Sequence, residues 1–141
     1  MKQRVMLSVC GRQAYMDQEP DVIELVTEGT MEYVDGGWEI CYEETELTGL
    51  AGVTTTFRVE PGKVLLTRTG KLHSQMVFQE SVDHTSLYQM EFGALMITVC
   101  AQRILVMLDE TGGMIDLVYG IEIEQSTAGT VDYHLEIRPI K

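Results

Sequence analysis

Apolar and polar residues alternate along most of this chain, and turn residues interrupt the alternation at short intervals. Near the N-terminus, Val5, Leu7 and Val9 alternate with more polar neighbours. The loop that follows contains Pro20, which disfavours a helix across this region. A period of two residues is typical of β-strands with one buried face, so the pattern predicts an all-β chain without a helix.

The first hairpin has a predicted register. Asp35-Gly36 is a strong signal for a two-residue hairpin loop. Such a loop places Tyr33 opposite Trp38 and turns the side chains of Tyr42 and Glu44 to the same apolar face. The alternation therefore predicts an acidic side chain on the buried side of the sheet.

The second hairpin follows the same logic across Pro61-Gly62. Pairing across this turn puts Phe57, Leu66 and Arg68 on one face, with polar residues on the other. After Gly70, a three-residue loop or a bend keeps Phe78 on that face. Arg68 is therefore predicted to point inward among apolar residues.

The rest of the chain predicts further strands. The apolar phase of residues 94–110 changes near Gln102-Arg103, which indicates a bulge, and Thr111-Gly112-Gly113 reads as a turn. The whole pattern gives eight to ten antiparallel strands. Sequential hairpins of similar length favour a single closed up-and-down barrel over a sandwich, with residues 1–141 as one domain.

Composition and charge narrow the function classes. Hydrophobic residues make up 45% and charged residues 23% of the 141 residues, which is typical of a globular chain. The net charge of −12 repels nucleic acid and anionic membrane surfaces, so neither is an expected partner. The N-terminus reads as a strand and not as a signal peptide. Three separated cysteines (Cys10, Cys41 and Cys100) favour free thiols in a reducing cytoplasm.

A set of short segments carries a family resemblance across nearly the whole chain. In order, they are Tyr42-x-Glu44, Gly52-x-Thr54-Thr55-Thr56, Thr67-Arg68-x-Gly70, Met76-x-Phe78, Tyr88 with Gly93, and Gly113 with Leu117-x-Tyr119. This set resembles the YwiB-like family of uncharacterised bacterial proteins. The resemblance implies a calycin (lipocalin-like) β-barrel in a bacterial cytoplasm, and it implies no reaction. The chain departs from the family at Met90, Glu91 and Phe92, where the family tends to have Thr-Pro-Tyr.

The inward charges are the candidate functional residues. An unpaired buried charge is costly, so Glu44 and Arg68 are expected to pair, to lie near an open mouth or to contact internal water. One interpretation is a purely structural ion pair. The other is a ligand site in which Arg68 binds the head group of a small amphipathic or anionic molecule. The candidate ligand-binding residues are Arg68, Glu44, Tyr42, Tyr88, Tyr119, Tyr133, Phe57 and Phe78.

Two other function classes stay open. Outward apolar residues predict a homodimer surface if they cluster; they are Val22, Val26, Leu65, Leu87 and Val118. A hydrolase is less favoured, because His73 and His134 fall on outward phases and His84 falls in a predicted loop. No spacing of His, Cys, Asp or Glu suggests a metal, and no cofactor motif is present, so neither a metal nor a cofactor is expected.

Overall fold

The structure is a computed structural model that describes residues 2–15, 21–45, 51–71, 73–90, 93–124 and 126–140. These residues form ten β-strands and no helix, which confirms the prediction of an all-β chain with eight to ten strands. In the described part of the chain, no helix has the length and apolar character of a membrane span. The strands are β1 (Gln3–Tyr15), β2 (Asp21–Val34), β3 (Gly37–Glu43), β4 (Val53–Glu60), β5 (Lys63–Gly70), β6 (Ser74–Phe78), β7 (Asp83–Met90), β8 (Gly93–Asp109), β9 (Gly112–Ile123) and β10 (Ser126–Pro139).

The strands form one antiparallel sheet that curls into a nearly closed barrel. Their order is β6-β5-β4-β3-β2-β1-β10-β9-β8-β7, so the ladder between β1 and β10 joins the two ends of the chain. The seam of the barrel lies between β6 and β7. There the described residues contribute a single bridge between Gln79 and Val82, and the Ser86 hydroxyl donates a hydrogen bond to the carbonyl of Gln75.

Both predicted hairpin registers are confirmed. Asp35 and Gly36 have φ angles of 51° and 80°, as a two-residue hairpin turn requires, and Tyr33 pairs with Trp38. Across the second turn, Phe57 pairs with Leu66, and the same register continues to the pair of Val53 and Gly70. The inward phase of each strand is therefore set locally by its turn.

The predicted bulge in β8 is also present. The register between β8 and β9 shifts between Ala101 and Arg103. Before this bulge, inward residues such as Val99 are buried, whereas Ile104 and Val106 after it are only half-buried. The prediction that His84 lies in a loop is wrong, because β7 already begins at the preceding residue.

The core fills the middle of the barrel and leaves the two ends different. Its most buried large side chains include Phe57, Phe78 and Leu117. We call the upper end the one at which β1 finishes and β2 begins. The lower end carries the Asp35-Gly36 and Pro61-Gly62 turns. Each end contains a separate cavity.

Gly113 and Gly93 provide a matched test of this packing. Both have a φ of 143°, so alanine is strained at either position by about 1–3 kcal/mol. An added Cβ at Gly113 would also overlap the carbonyl oxygen of Met107, whereas at Gly93 it meets no atom of the described residues. We expect Gly113→Ala to lower the free energy of unfolding by at least about 2 kcal/mol more than Gly93→Ala, as measured by urea denaturation. Equal losses would contradict this register of β8 and β9.

Candidate functional site

A row of polar side chains crosses four neighbouring strands on the inside of the barrel. Tyr42 of β3 pairs with Thr55 of β4, Thr55 pairs with Arg68 of β5, and Arg68 pairs with Ser74 of β6. Directly paired residues in an antiparallel sheet project from the same face, so all four point inward. Glu44 follows one inward position after Tyr42 and is also buried. The row lies in the upper half of the barrel.

Glu44 and Arg68 form an ion pair without a hydrogen bond. The Arg68 Nε lies 3.9 Å from Glu44 Oε2, and the Glu44 side chain is only 2% exposed. The Thr55 hydroxyl donates a hydrogen bond of 2.8 Å to the same oxygen. Glu44 is therefore stabilised by a hydroxyl and a nearby cation, as a buried carboxylate requires.

Arg68 differs from the equally buried Arg58 in what its guanidinium contacts. The side chains are 17% and 18% exposed, respectively. Arg58, on the outer face, donates hydrogen bonds to the carbonyls of Val34 and Asp35 and to two glutamate side chains. Arg68 makes no hydrogen bond to the described residues, and its Nε is buried without a partner among them. Such a buried donor has a free energy cost unless water or another molecule accepts its hydrogen bond.

Two tyrosines, one on β3 and one on β10, meet beside the ion pair. The hydroxyls of Tyr42 and Tyr133 lie 3.1 Å apart. Burial and the charge of Glu44 raise the pKa of Tyr42 to about 12. Burial and the neighbouring Tyr42 also raise the pKa of Tyr133 well above its ordinary value. Both phenols are therefore protonated at neutral pH and can donate hydrogen bonds.

A cavity of about 310 Å³ joins these groups at the upper end of the barrel. Five of the eight predicted ligand-binding residues line it, and they are Tyr42, Glu44, Arg68, Tyr119 and Tyr133. The remaining wall is mostly aliphatic, with Ile121 and Val131 among its residues. Among the described residues, the arrangement is a mainly apolar chamber with one cation, one carboxylate and three tyrosine rings.

The other predicted residues are not in this wall. Phe57 packs beneath the ring of Tyr133 with 5.6 Å between ring centroids, and Phe78 packs against Tyr119 at 4.6 Å. Both phenylalanines are fully buried, so they support the tyrosines and do not line the cavity. Tyr88 belongs to β7, but its side chain lies outside the described part of the structure.

Sequence reasoning missed two polar contributors. Thr55 shares the inward phase of Phe57 in the sequence but is not among the predicted site residues, although its hydroxyl binds Glu44. Gln13 lines the cavity from β1 and was not considered. Continuing the inward phase of Val5, Leu7 and Val9 along β1 reaches Gln13, so the signal was present in the sequence.

Other reactive groups lie away from this cavity. Burial and the carboxylates of Asp83 and Glu122 raise the pKa of the Cys100 thiol to about 11, so little thiolate forms at neutral pH. His134 contacts Asp116 and Glu136 on the outer face. Among the residues that the structure describes, no three His, Cys, Asp or Glu side chains gather as a metal site.

Comparisons with known proteins identify a family and a fold. A family model described as "Domain of unknown function (DUF1934)" matches residues 7–137. The crystal structure of ywiB protein from Bacillus subtilis superposes with a TM-score of 0.86 at 23% sequence identity, over 99% of this chain and 94% of that one. No curated protein matches the chain. At this identity the superposition shows the fold alone.

The raised pKa of Tyr42 predicts a late step in a spectrophotometric tyrosine titration. A phenol that holds its proton more tightly when folded contributes stability below about pH 10, and this contribution is lost as the pH rises towards 12. We expect Tyr42→Phe to remove the component of the 295 nm absorbance change near pH 12, whereas Tyr33→Phe leaves it in place. An unchanged titration curve for Tyr42→Phe would contradict the buried position of this hydroxyl.

A double-mutant cycle tests the ion pair. Arg68→Leu leaves the buried Glu44 without its cation, and we expect it to lower the free energy of unfolding by about 2–3 kcal/mol. Adding Glu44→Gln to Arg68→Leu is expected to recover most of this loss, because the remaining amide carries no charge. Urea denaturation of the two single variants and the double variant measures the coupling. Additive losses would show that the two charges do not interact.

Proposed function

Since the chain belongs to the DUF1934 family, which carries no assigned activity, we propose from the site itself that the barrel interior binds a small amphipathic or anionic molecule through Arg68. The observation that carries the proposal is the Arg68 guanidinium, which lies in the cavity wall without a hydrogen bond to the described residues. Arg58, equally buried, has its hydrogen-bond acceptors on the protein. A ligand can supply the acceptors that Arg68 lacks.

The chemistry of the cavity indicates the form of the ligand. A guanidinium binds a carboxylate or a phosphate oxygen well, because its N–H groups form a planar fork. The protonated hydroxyls of Tyr42 and Tyr133 are additional donors beside it. The aliphatic wall, with Val9 and Ile97 among its residues, suits an apolar body behind the head group. A volume of about 310 Å³ limits the ligand to a small molecule.

A purely structural role for the ion pair is the alternative. The distance of 3.9 Å between Arg68 Nε and Glu44 Oε2 favours it. Glu44 lies close enough to neutralise Arg68, and Thr55 already satisfies one oxygen of Glu44. In that interpretation the cavity holds only water, and the barrel acts as a structural or homodimeric module. The five outward apolar residues considered for a dimer do not form one patch, because the exposed Val22 and Val26 lie on β2 and the exposed Leu87 lies on β7.

We further propose a cytoplasmic protein that binds without catalysis. Free cysteines on the outer face support the location, since Cys10, Cys41 and Cys100 are unpaired. The absence of a reaction is supported by the sequence, in which no spacing of residues suggests a metal site, a nucleophile with its base or a phosphate loop.

Thermal shift with octanoate and 1-octanol tests the binding proposal. Octanoate offers a carboxylate on an aliphatic body, and the alcohol lacks the charge. We expect octanoate to raise the melting temperature of the parent by several degrees at saturating concentration, and octanol to raise it less. Arg68→Leu should lose the octanoate shift. Arg58→Leu, the matched control with the same exposure on the outer face, should keep it.

Native mass spectrometry of protein purified from cells is a second test of the binding proposal. A bound small molecule that is retained by the parent and by Arg58→Leu but absent from Arg68→Leu supports the proposal. An unliganded mass in all three proteins, together with no octanoate shift in the parent, would contradict it and leave the structural interpretation.

A further inference from the structure

The lower half of β8 is paired with a strand on one side only, among the residues that the structure describes. β9 pairs with β8 as far as Asp109, whereas β7 pairs only with residues 93–100. We call residues 103–109 the β8 edge. Among the described residues no strand pairs with the other side of this edge. Instead, the backbone N–H of Ile104 donates a hydrogen bond of 3.0 Å to the carboxylate of Glu80. A side chain thus takes the place that a strand carbonyl would have.

The direction of the backbone groups along the β8 edge follows from two contacts. The carbonyl of Met107 points towards β9, because it lies against Gly113. The N–H of Ile104 points to the opposite side, towards Glu80. Alternate residues of a strand direct their N–H and C=O groups to the same side. Ile104, Val106 and Leu108 therefore present their backbone groups to the open side.

Between Arg103 and Asp109, both faces of the β8 edge are apolar. On the inner face, Ile104 and Val106 line a cavity of about 410 Å³ at the lower end, together with Trp38. On the outer face, Leu105 is 44% exposed and Met107 is 62% exposed. A strand with open backbone groups and apolar residues on both faces is a template for pairing with another chain. The lower cavity would take every second side chain of a segment added there.

The charges around the β8 edge indicate the occupant. Asp109 and Glu110 lie at one end. Glu80 lies at the other, where the one cation of the edge, Arg103, is already paired with Asp116. Two hydrogen bonds from Thr111 lower the pKa of Asp109, so this carboxylate stays ionised at neutral pH. The chain carries a net charge of −12, so a second copy is repelled, whereas a cationic segment is attracted.

We propose that the β8 edge binds an extended peptide segment of another protein by strand addition, with apolar residues at alternate positions and Lys or Arg at its ends. The peptide backbone pairs with Ile104, Val106 and Leu108, and a peptide carbonyl replaces Glu80 at the Ile104 N–H. The released Glu80 carboxylate then faces a basic end of the peptide. The site is distinct from the upper cavity and does not depend on Arg68.

The test uses the peptide KVTVTVK, whose valines alternate and whose ends are basic. NMR amide exchange in the full chain should slow at Val106 and Leu108 when this peptide is added, while Leu105 and Met107 are protected with or without it. A peptide with glutamates at both ends, and one with N-methylated valines that cannot donate backbone hydrogen bonds, should each bind at least about tenfold more weakly.

The substitution Val106→Pro tests the same backbone pairing by a change in the protein. It removes an N–H on the open side and leaves the hydrogen bonds of Leu105 and Met107 to β9 intact. We expect it to abolish KVTVTVK binding, whereas Val22→Thr, on the distant β2, leaves binding unchanged. If Val106→Pro does not fold, the N-methylated peptide still decides the question.

Three results would overturn the proposal. The first is exchange at Val106 and Leu108 that is unaffected by the peptide or already slow in the free protein. The second is equal binding of the N-methylated peptide. The third is protection that rises with protein concentration alone, with a dimer in light scattering, which would assign the β8 edge to a second copy.

Discussion

A buried charge needs a counter-charge and hydrogen-bond partners, and the inside of this barrel satisfies that requirement for Glu44 more fully than for Arg68. Glu44 receives a hydrogen bond from Thr55 and lies beside a cation. Arg68 has only a contact of 3.9 Å with that carboxylate. The phenol pair of Tyr42 and Tyr133 lies beside them. The upper cavity therefore exists around an arginine whose hydrogen bonding is incomplete within the described chain.

The two ends of the barrel offer different chemistry because the strands end at different heights. At the upper end, the short strands β3 to β6 carry the polar row and long strands such as β1 and β10 complete the wall of a small chamber. At the lower end, β7 stops short of the end of β8, so backbone groups and the half-buried Ile104 and Val106 are left at an open side. The upper site suits a small molecule, and the lower one suits an extended chain.

Local signals explain what could be predicted from sequence. The turns at Asp35-Gly36 and Pro61-Gly62 each set a register within a few residues, so the inward phase of Arg68 followed directly. Contacts across the barrel could not be predicted in this way. The Tyr42 and Tyr133 hydroxyls meet over 91 positions of sequence, and their meeting depends on strand tilt and on the ladder between β1 and β10.

The alternation of apolar and polar residues predicts which side chains of a strand point inward. It does not predict how far along the barrel axis each residue lies. Phe57 and Phe78 were therefore grouped correctly with the inward residues, but they lie below the cavity and support its tyrosines. The same limit applies to Tyr33, which shares the inward phase but lies at the lower end beside Trp38, where it is largely exposed. The alternation of apolar and polar residues did not predict that the pairing between β6 and β7 is incomplete.

The Arg68 Nε–H has no acceptor among the described residues, and we propose that a ligand supplies one. The most direct measurement follows the ¹⁵N–¹H resonance of the arginine Nε groups during a titration with octanoate. We expect rapid exchange of the Arg68 Nε–H with solvent in the free protein, and slow exchange with a shifted resonance in the complex, while the Arg58 signal does not move. An Arg68 Nε–H that is already protected without ligand, and that octanoate leaves unchanged, would contradict this proposal.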